Sequence, residues 1–178
     1  MTTDQFKEFI KKNPHLKDYY WLLAEMRKES PRGAVLISCS FVEDQLQKIL
    51  KSFLVETSIK MFEEENSVLG TLYAKAAIAL SLGLINQDEY DEIKIFRKIR
   101  NQFAHITKIN FDDPEIVRLC KKLKLFIMPN DIVLPWFEYY LMTVTVLING
   151  LMNRVAHVSE KRLKIIDWGI EYTSLKKS

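Results

Sequence analysis

The chain has 178 residues, of which 48% are hydrophobic, and a formal net charge of +3. This length suits a single domain spanning residues 1–178 with a substantial core. Five glycines and five prolines are too few for a β-rich fold with many turns. The small net charge does not indicate a dedicated nucleic-acid binder.

The first third of the chain reads as three helices. Residues 3–12 form a short amphipathic pattern that Asn13 and Pro14 interrupt. A second helix is predicted from about His15 to Lys28. Ser30 as N-cap and Pro31 at the first helical position then start a third helix, which runs to about residue 55.

The remaining helices are marked by start and stop signals. Residues 57–67 contain three successive glutamates and are predicted to be a solvated helix end or loop. An alanine-rich helix over 71–80 ends at Gly83, and Asn86 is the N-cap of the next helix. The Asp-Asp-Pro-Glu run at 112–115 starts a helix to about Leu123. The last long helix is predicted to open at 128–131 and to reach about His157.

That last helix is apolar almost all round from Tyr139 to Leu151. Pro135, Glu138 and Asn149 interrupt the surrounding stretch, and the uninterrupted run is shorter than the ~20 residues that a membrane span needs. We therefore expect no membrane segment and place this helix at the centre of the bundle. The predicted fold class is all-α, a compact multi-helix bundle of six to eight helices.

The hexapeptide Arg100-Asn101-Gln102-Phe103-Ala104-His105 ends the helix that starts near Asn86. An apolar stripe at three- and four-residue spacing predicts that one side of this helix faces the core; it consists of Tyr90, Ile93, Phe96, Ile99 and Phe103. Arg97, Asn101 and His105 share another face. Arg100 and His105 are about 140° apart around the helix, so they could act on one substrate only at the helix end or across a two-fold dimer.

Two family resemblances follow from these residues. The Arg-Asn-x-x-x-His pattern at 100–105 resembles the signature of the HEPN superfamily, small helical proteins that often act as metal-independent RNases. A longer stretch resembles the mannitol operon repressor (MltR-like) family. It includes the Phe-Val-Glu-Asp helix at 41–44, two Leu-Gly turns, the Arg-Asn-x-Phe-Ala-His motif and the Phe-Asp-Asp-Pro-Glu helix start at 111–115. The latter resemblance implies an all-helical transcriptional regulator that lacks a dedicated DNA-binding module.

The HEPN resemblance implies a catalytic hypothesis. His105 would be the general base or acid at a ribose 2′-hydroxyl, and Arg100 would stabilise charge on the phosphoryl oxygens. Asn101 would orient the substrate or the histidine. The alternative interpretation is structural, with Arg100 and His105 capping the C-terminus of the helix. Glu43 or Asp44 could orient Arg97 or Arg100, although a solvated carboxylate pair is the more common situation.

No metal site is predicted, because the two cysteines and three histidines lack ligand spacing. Cys39 and Cys120 are expected to be reduced core residues, and no cofactor is expected. Asp4 and Glu8 interrupt the start, so we expect no signal peptide and a cytoplasmic location.

The sequence therefore favours a regulator that acts through a protein partner, with a metal-independent ribonuclease as the alternative. A third possibility is an antitoxin or scaffold that retains the motif as structure. Direct sequence-specific DNA binding is not expected, RNA is a possible ligand, and a homodimer with its His105 ends near the axis is predicted.

Overall fold

The computed structural model describes residues 17–56, 60–62, 67–127 and 133–168. The helix predicted over residues 3–12 lies outside these ranges, as does most of the glutamate-rich stretch. The described part consists of six helices and contains no strand, so the all-α prediction is confirmed. The helices are α1 (Lys17–Lys28), α2 (Pro31–Phe53), α3 (Leu72–Ser81), α4 (Gln87–His105), α5 (Pro114–Cys120) and α6 (Trp136–Ser159).

Local hydrogen bonds explain where four of these helices begin. In each case the N-cap side chain accepts a backbone N–H from the first turn, which satisfies a donor that has no partner within the helix. The N-caps are Ser30, Thr71, Asn86 and Asp113. Asn86 forms a reciprocal capping box with Glu89. After α3, Gly83 has φ +68°, a left-handed conformation that glycine adopts without a Cβ clash.

Two predicted helix boundaries are wrong. Helix α6 begins at Trp136 and not at 128–131, since residues 133–135 are not helical. Pro135 explains this, because a proline disfavours the helical conformation of the residue before it. Helix α5 ends at Cys120 instead of Leu123. The loop that follows is held by tertiary contacts, since Leu123 O accepts from the Tyr139 hydroxyl and the N–H of Leu125 donates to Glu92.

Helix α6 is the central element of the bundle, as predicted, and it packs most extensively against α2. Its length and apolar composition would suffice to cross a membrane, and among the described residues it is the one helix of which this is true. Its buried positions face the other helices and include Tyr139, Tyr140, Val144, Leu147, Ile148 and Leu151. Tyr140 is fully buried, with its ring edge-on to Phe96 of α4 at a centroid distance of 5.3 Å.

Several polar groups inside the core have partners, whereas Glu92 Oε2 is buried without a hydrogen-bond partner among the described residues. The Tyr140 hydroxyl is 2.8 Å from Ser38 Oγ, which in turn lies 3.1 Å from Val35 O. Both cysteines are free and buried, as predicted, and burial raises the pKa of each thiol to about 12. Such thiols stay protonated at neutral pH and are poor nucleophiles.

Candidate functional site

The candidate site lies on α4, whose two sides differ sharply. The predicted apolar stripe faces the subunit's own core, because Ile93, Phe96, Ile99 and Phe103 are each at most 1% exposed. Phe103 also packs against Phe111, with ring centroids 5.0 Å apart. This side anchors the helix firmly, so the side chains that project from the opposite side have a rigid base.

The motif side chains lie on the outer side of α4, close to its C-terminus. Arg97, Arg100 and His105 are exposed and Asn101 is half-buried. Arg100 Nη1 donates to Asn101 Oδ1 at 3.3 Å, so these two neighbouring side chains lean towards each other. His105 is the last residue of the helix, which ends at the extended residue Ile106. A guanidinium, an amide and an imidazole are therefore presented to solvent from the last two turns.

Arg32 closes the C-terminus of α4, a role that the sequence analysis missed. One of its guanidinium nitrogens, Nη1, donates to Phe103 O. The other, Nη2, donates to the carbonyls of Ile106 and Thr107 at 2.6 and 2.9 Å. Carbonyls at a helix C-terminus lack partners within the helix and carry partial negative charge, so a guanidinium stabilises them. The structural alternative predicted from the sequence assigned this capping to Arg100 and His105. In the structure, Arg32 makes the side-chain hydrogen bonds to these carbonyls.

Glu43 and Asp44 have lysine partners. Glu43 Oε1 lies 2.6 Å from Nζ of Lys75, a lysine that is only 3% exposed. Asp44 pairs with Lys48 one helical turn away at 2.8 Å. The Glu43–Lys75 pair joins α2 to the first half of α3.

Arg97 contacts an aromatic ring. Its guanidinium carbon lies 5.4 Å from the ring centroid of Tyr73, at the start of α3, which is within cation–π range. No carboxylate in the described part of the chain forms an ion pair with Arg97 or Arg100. Within the described ranges, therefore, no carboxylate neutralises the charges of these two arginines through an ion pair.

The exposed side chains of Arg97, Arg100 and His105 and the half-buried side chain of Asn101 offer hydrogen-bond donors and positive charge. Across the described ranges, no group of three or more His, Cys, Asp or Glu side chains is placed to hold a metal ion. The chemistry available at the motif is therefore binding of an anion by arginine and proton transfer by histidine.

The fold and the site together define an all-helical protein with a solvent-facing arginine and histidine motif at the end of a core helix. No protein-family model matches the chain, and no curated protein matches it. Among solved structures, the chain is similar to a chain of the MtlR–HPr complex from Escherichia coli, with a TM-score of 0.55 and 16% sequence identity. The similarity covers 79% of this chain and 98% of that chain.

This similarity supports an MtlR-like fold and so agrees with the fold that the longer sequence resemblance implied. The HEPN resemblance of the hexapeptide stays a prediction.

Proposed function

We propose that this protein is a regulatory module that acts by binding a protein partner, and that HPr or an HPr-like protein is its partner class. The observation that carries the proposal is the fold similarity over 98% of a chain from a complex of MtlR with HPr. The exposed Arg97 and Arg100, which have no carboxylate partner within the described part of the chain, are consistent with it, because Arg and Tyr are enriched where proteins bind each other.

The test is a titration of the full-length protein with purified E. coli HPr by isothermal titration calorimetry. We expect a one-to-one complex with a Kd of about 1 μM or below, the range that specific interfaces of ordinary size reach. Lysozyme of equal concentration serves as the negative control. Absence of heat and of a complex by light scattering would refute HPr as the partner.

Regulation through a partner also implies weak direct binding to DNA. The net charge is only +3, so contacts to phosphates would be few and diffuse. We expect no sequence preference between duplexes at physiological salt in the absence of a partner. Tight, sequence-selective binding in a gel-shift titration would contradict this part of the proposal.

A second candidate function is metal-independent RNA cleavage by Arg100, Asn101 and His105. The observation that favours it is the capping of α4 by Arg32, which leaves the motif side chains free of that structural task. We expect such an enzyme to work as a homodimer, because a two-fold axis near His105 would bring two motifs to one RNA strand.

The ribonuclease test uses mixed RNAs in EDTA. Cleavage by the wild type that leaves cyclic phosphate ends, and its loss in His105→Ala, would support the enzyme. His157→Ala is the matched control, since His157 is an exposed histidine at the end of α6. Equal cleavage by wild type and His105→Ala would point to a contaminating nuclease and remove the catalytic hypothesis.

A further inference from the structure

The outer side of α4 carries a surface with a composition that differs from its surroundings. We define the motif face as Tyr73, Arg97, Arg100, Asn101, His105 and Ile106. Tyr73 and Ile106 are large hydrophobic side chains that are 49% and 46% exposed. Tyr73 contacts Arg97 at one end, and Ile106 follows His105 at the other. With a rise of 1.5 Å per residue, Arg97 and Ile106 lie about 13 Å apart along the helix.

As far as the structure describes the chain, the arginines of this face differ from the charged side chains of neighbouring surfaces in having no carboxylate partner. One turn before Arg97, Lys94 pairs with Asp91 at 3.2 Å, and on α5 Arg118 pairs with Glu115 at 2.6 Å. Within the described residues Arg97 and Arg100 have no carboxylate partner of this kind. A ligand with carboxylates would provide Arg97 and Arg100 with ion-pair partners of the kind that Lys94 and Arg118 have within the protein.

The frame of the motif face is rigid before any ligand arrives. Arg32 fixes the C-terminal carbonyls of α4 and the loop after it. The Glu43–Lys75 pair and the Thr71 cap hold the start of α3, which carries Tyr73. A preorganised surface loses less entropy on binding, so a small number of contacts suffices for specific recognition.

We propose that the motif face is the docking surface for an acidic segment of the protein partner. The inference rests on the proposed function and names the surface and the chemistry that it recognises. A strip of about 13 Å matches about four residues of extended chain. Carboxylates of such a segment would pair with Arg97 and Arg100, and apolar residues at its two ends would contact Tyr73 and Ile106.

A second copy of this chain fits the motif face less well. In a two-fold dimer through this face, each copy would present the same arginines to the other. Like charges would then be brought together without a carboxylate between them, which destabilises the contact. Single-stranded RNA is the other anionic ligand that such a face could bind, and the experiment below distinguishes RNA binding from binding of an acidic peptide.

The experiment compares the wild type with two charge-reversed variants of equal net charge. Arg97→Glu/Arg100→Glu changes the motif face, and Arg27→Glu/Arg118→Glu changes exposed arginines on α1 and α5. Three labelled probes are titrated at moderate salt: HPr, a hexapeptide with four carboxylates between two leucines, and an unstructured oligoribonucleotide. Amide NMR shifts of the wild type map the contact, and circular dichroism verifies the fold of each variant.

We expect HPr binding to weaken at least 100-fold in Arg97→Glu/Arg100→Glu, about tenfold in Tyr73→Ala and less than threefold in the control. The amide shifts should concentrate on residues 97–106.

Equal HPr affinities of the two charge-reversed variants would overturn the motif face as the docking surface while leaving the proposed function intact. If HPr fails to bind but the acidic peptide binds and shifts 97–106, the motif face stands and HPr is the wrong partner. If neither HPr nor the peptide binds, the proposal is overturned, and RNA binding lost in Arg97→Glu/Arg100→Glu would replace it with an RNA surface.

Discussion

Polar side chains are arranged differently in two regions of the molecule. One region is the contact between α2 and α6, and the other is the outer side of α4. In the core, the Tyr140 hydroxyl lies within hydrogen-bonding range of both Ser38 Oγ and Cys39 Sγ, and all three residues are at most 4% exposed. On α4, Arg97 and Arg100 point to solvent and have no carboxylate partner among the described residues.

The difference follows from solvation. A buried polar group without a partner costs free energy, so polar residues of the core such as Tyr140 and Ser38 are matched with each other, and Glu92 Oε2 is an exception among the described residues. An exposed guanidinium is hydrated, and its lack of a partner costs the fold nothing comparable. Substitutions in the core should therefore change stability, and substitutions on the motif face should change binding or catalysis. The predictions below test this separation.

The largest effect is expected for Tyr140→Ala. Tyr140 is fully buried and its ring contacts those of Phe96 and Phe111. Its removal should lower the free energy of unfolding by about 4 kcal/mol, because it leaves a cavity that the neighbours cannot fill. Urea denaturation measures this. Tyr140→Phe is the matched control and should cost about 1 kcal/mol, the value of one hydrogen bond. A loss below 1 kcal/mol for Tyr140→Ala would contradict the assignment of this region as the centre of the core.

Arg32→Ala should have an intermediate effect that links the two regions. The half-buried Arg32 side chain donates to three carbonyls at the end of α4. Its loss should reduce stability by about 2 kcal/mol, in the range for hydrogen bonds from a charged donor. Hydrogen exchange at the Ile106 amide, which bonds Gln102 O, should accelerate more than exchange in α6. Arg32→Lys should restore part of this protection, and a uniform loss of protection would show that Arg32 does not act locally.

A smaller effect concerns the buried carboxyl of Glu92. Burial raises its pKa above the ordinary value of 4.5, against the opposing N–H groups of Lys124 and Leu125. The folded state then holds the proton more tightly than the unfolded state, so this group lowers stability as pH rises from 4.5 through the raised pKa. Glu92→Gln should remove that contribution and make stability less dependent on pH. Denaturation at pH 4.5 and at neutral pH measures it, and identical pH profiles of variant and wild type would exclude a raised pKa.

The smallest effect on stability is expected for Arg100→Ala. The side chain is exposed and its described side-chain bond is to Asn101. The free energy of unfolding should stay within about 0.5 kcal/mol of the wild type, while HPr binding or RNA cleavage falls. Thermal denaturation beside either activity assay gives both values. A stability loss comparable with that of Arg32→Ala would show that Arg100 belongs to the fold and would remove the distinction drawn above.

The sequence by itself determined most of the helices and the orientation of α4. Ser30, Asn86 and Asp113 act as caps through bonds to residues two or three positions away, so their signals are local. The spacing of Phe96, Ile99 and Phe103 likewise identified the buried side of α4, because a helix repeats every 3.6 residues. The shared face of Arg97, Asn101 and His105 followed from the same geometry.

The tertiary structure alone decided which residues hold the motif face in place. Arg32 reaches carbonyls that are 71 to 75 residues away, and Glu43 meets Lys75 across 32 residues. The loop after α5 likewise ends that helix early because it bonds to Glu92 and Tyr139. Such contacts depend on how the helices pack. A local sequence pattern does not report this packing, because residues that are far apart along the chain can be in contact in the fold.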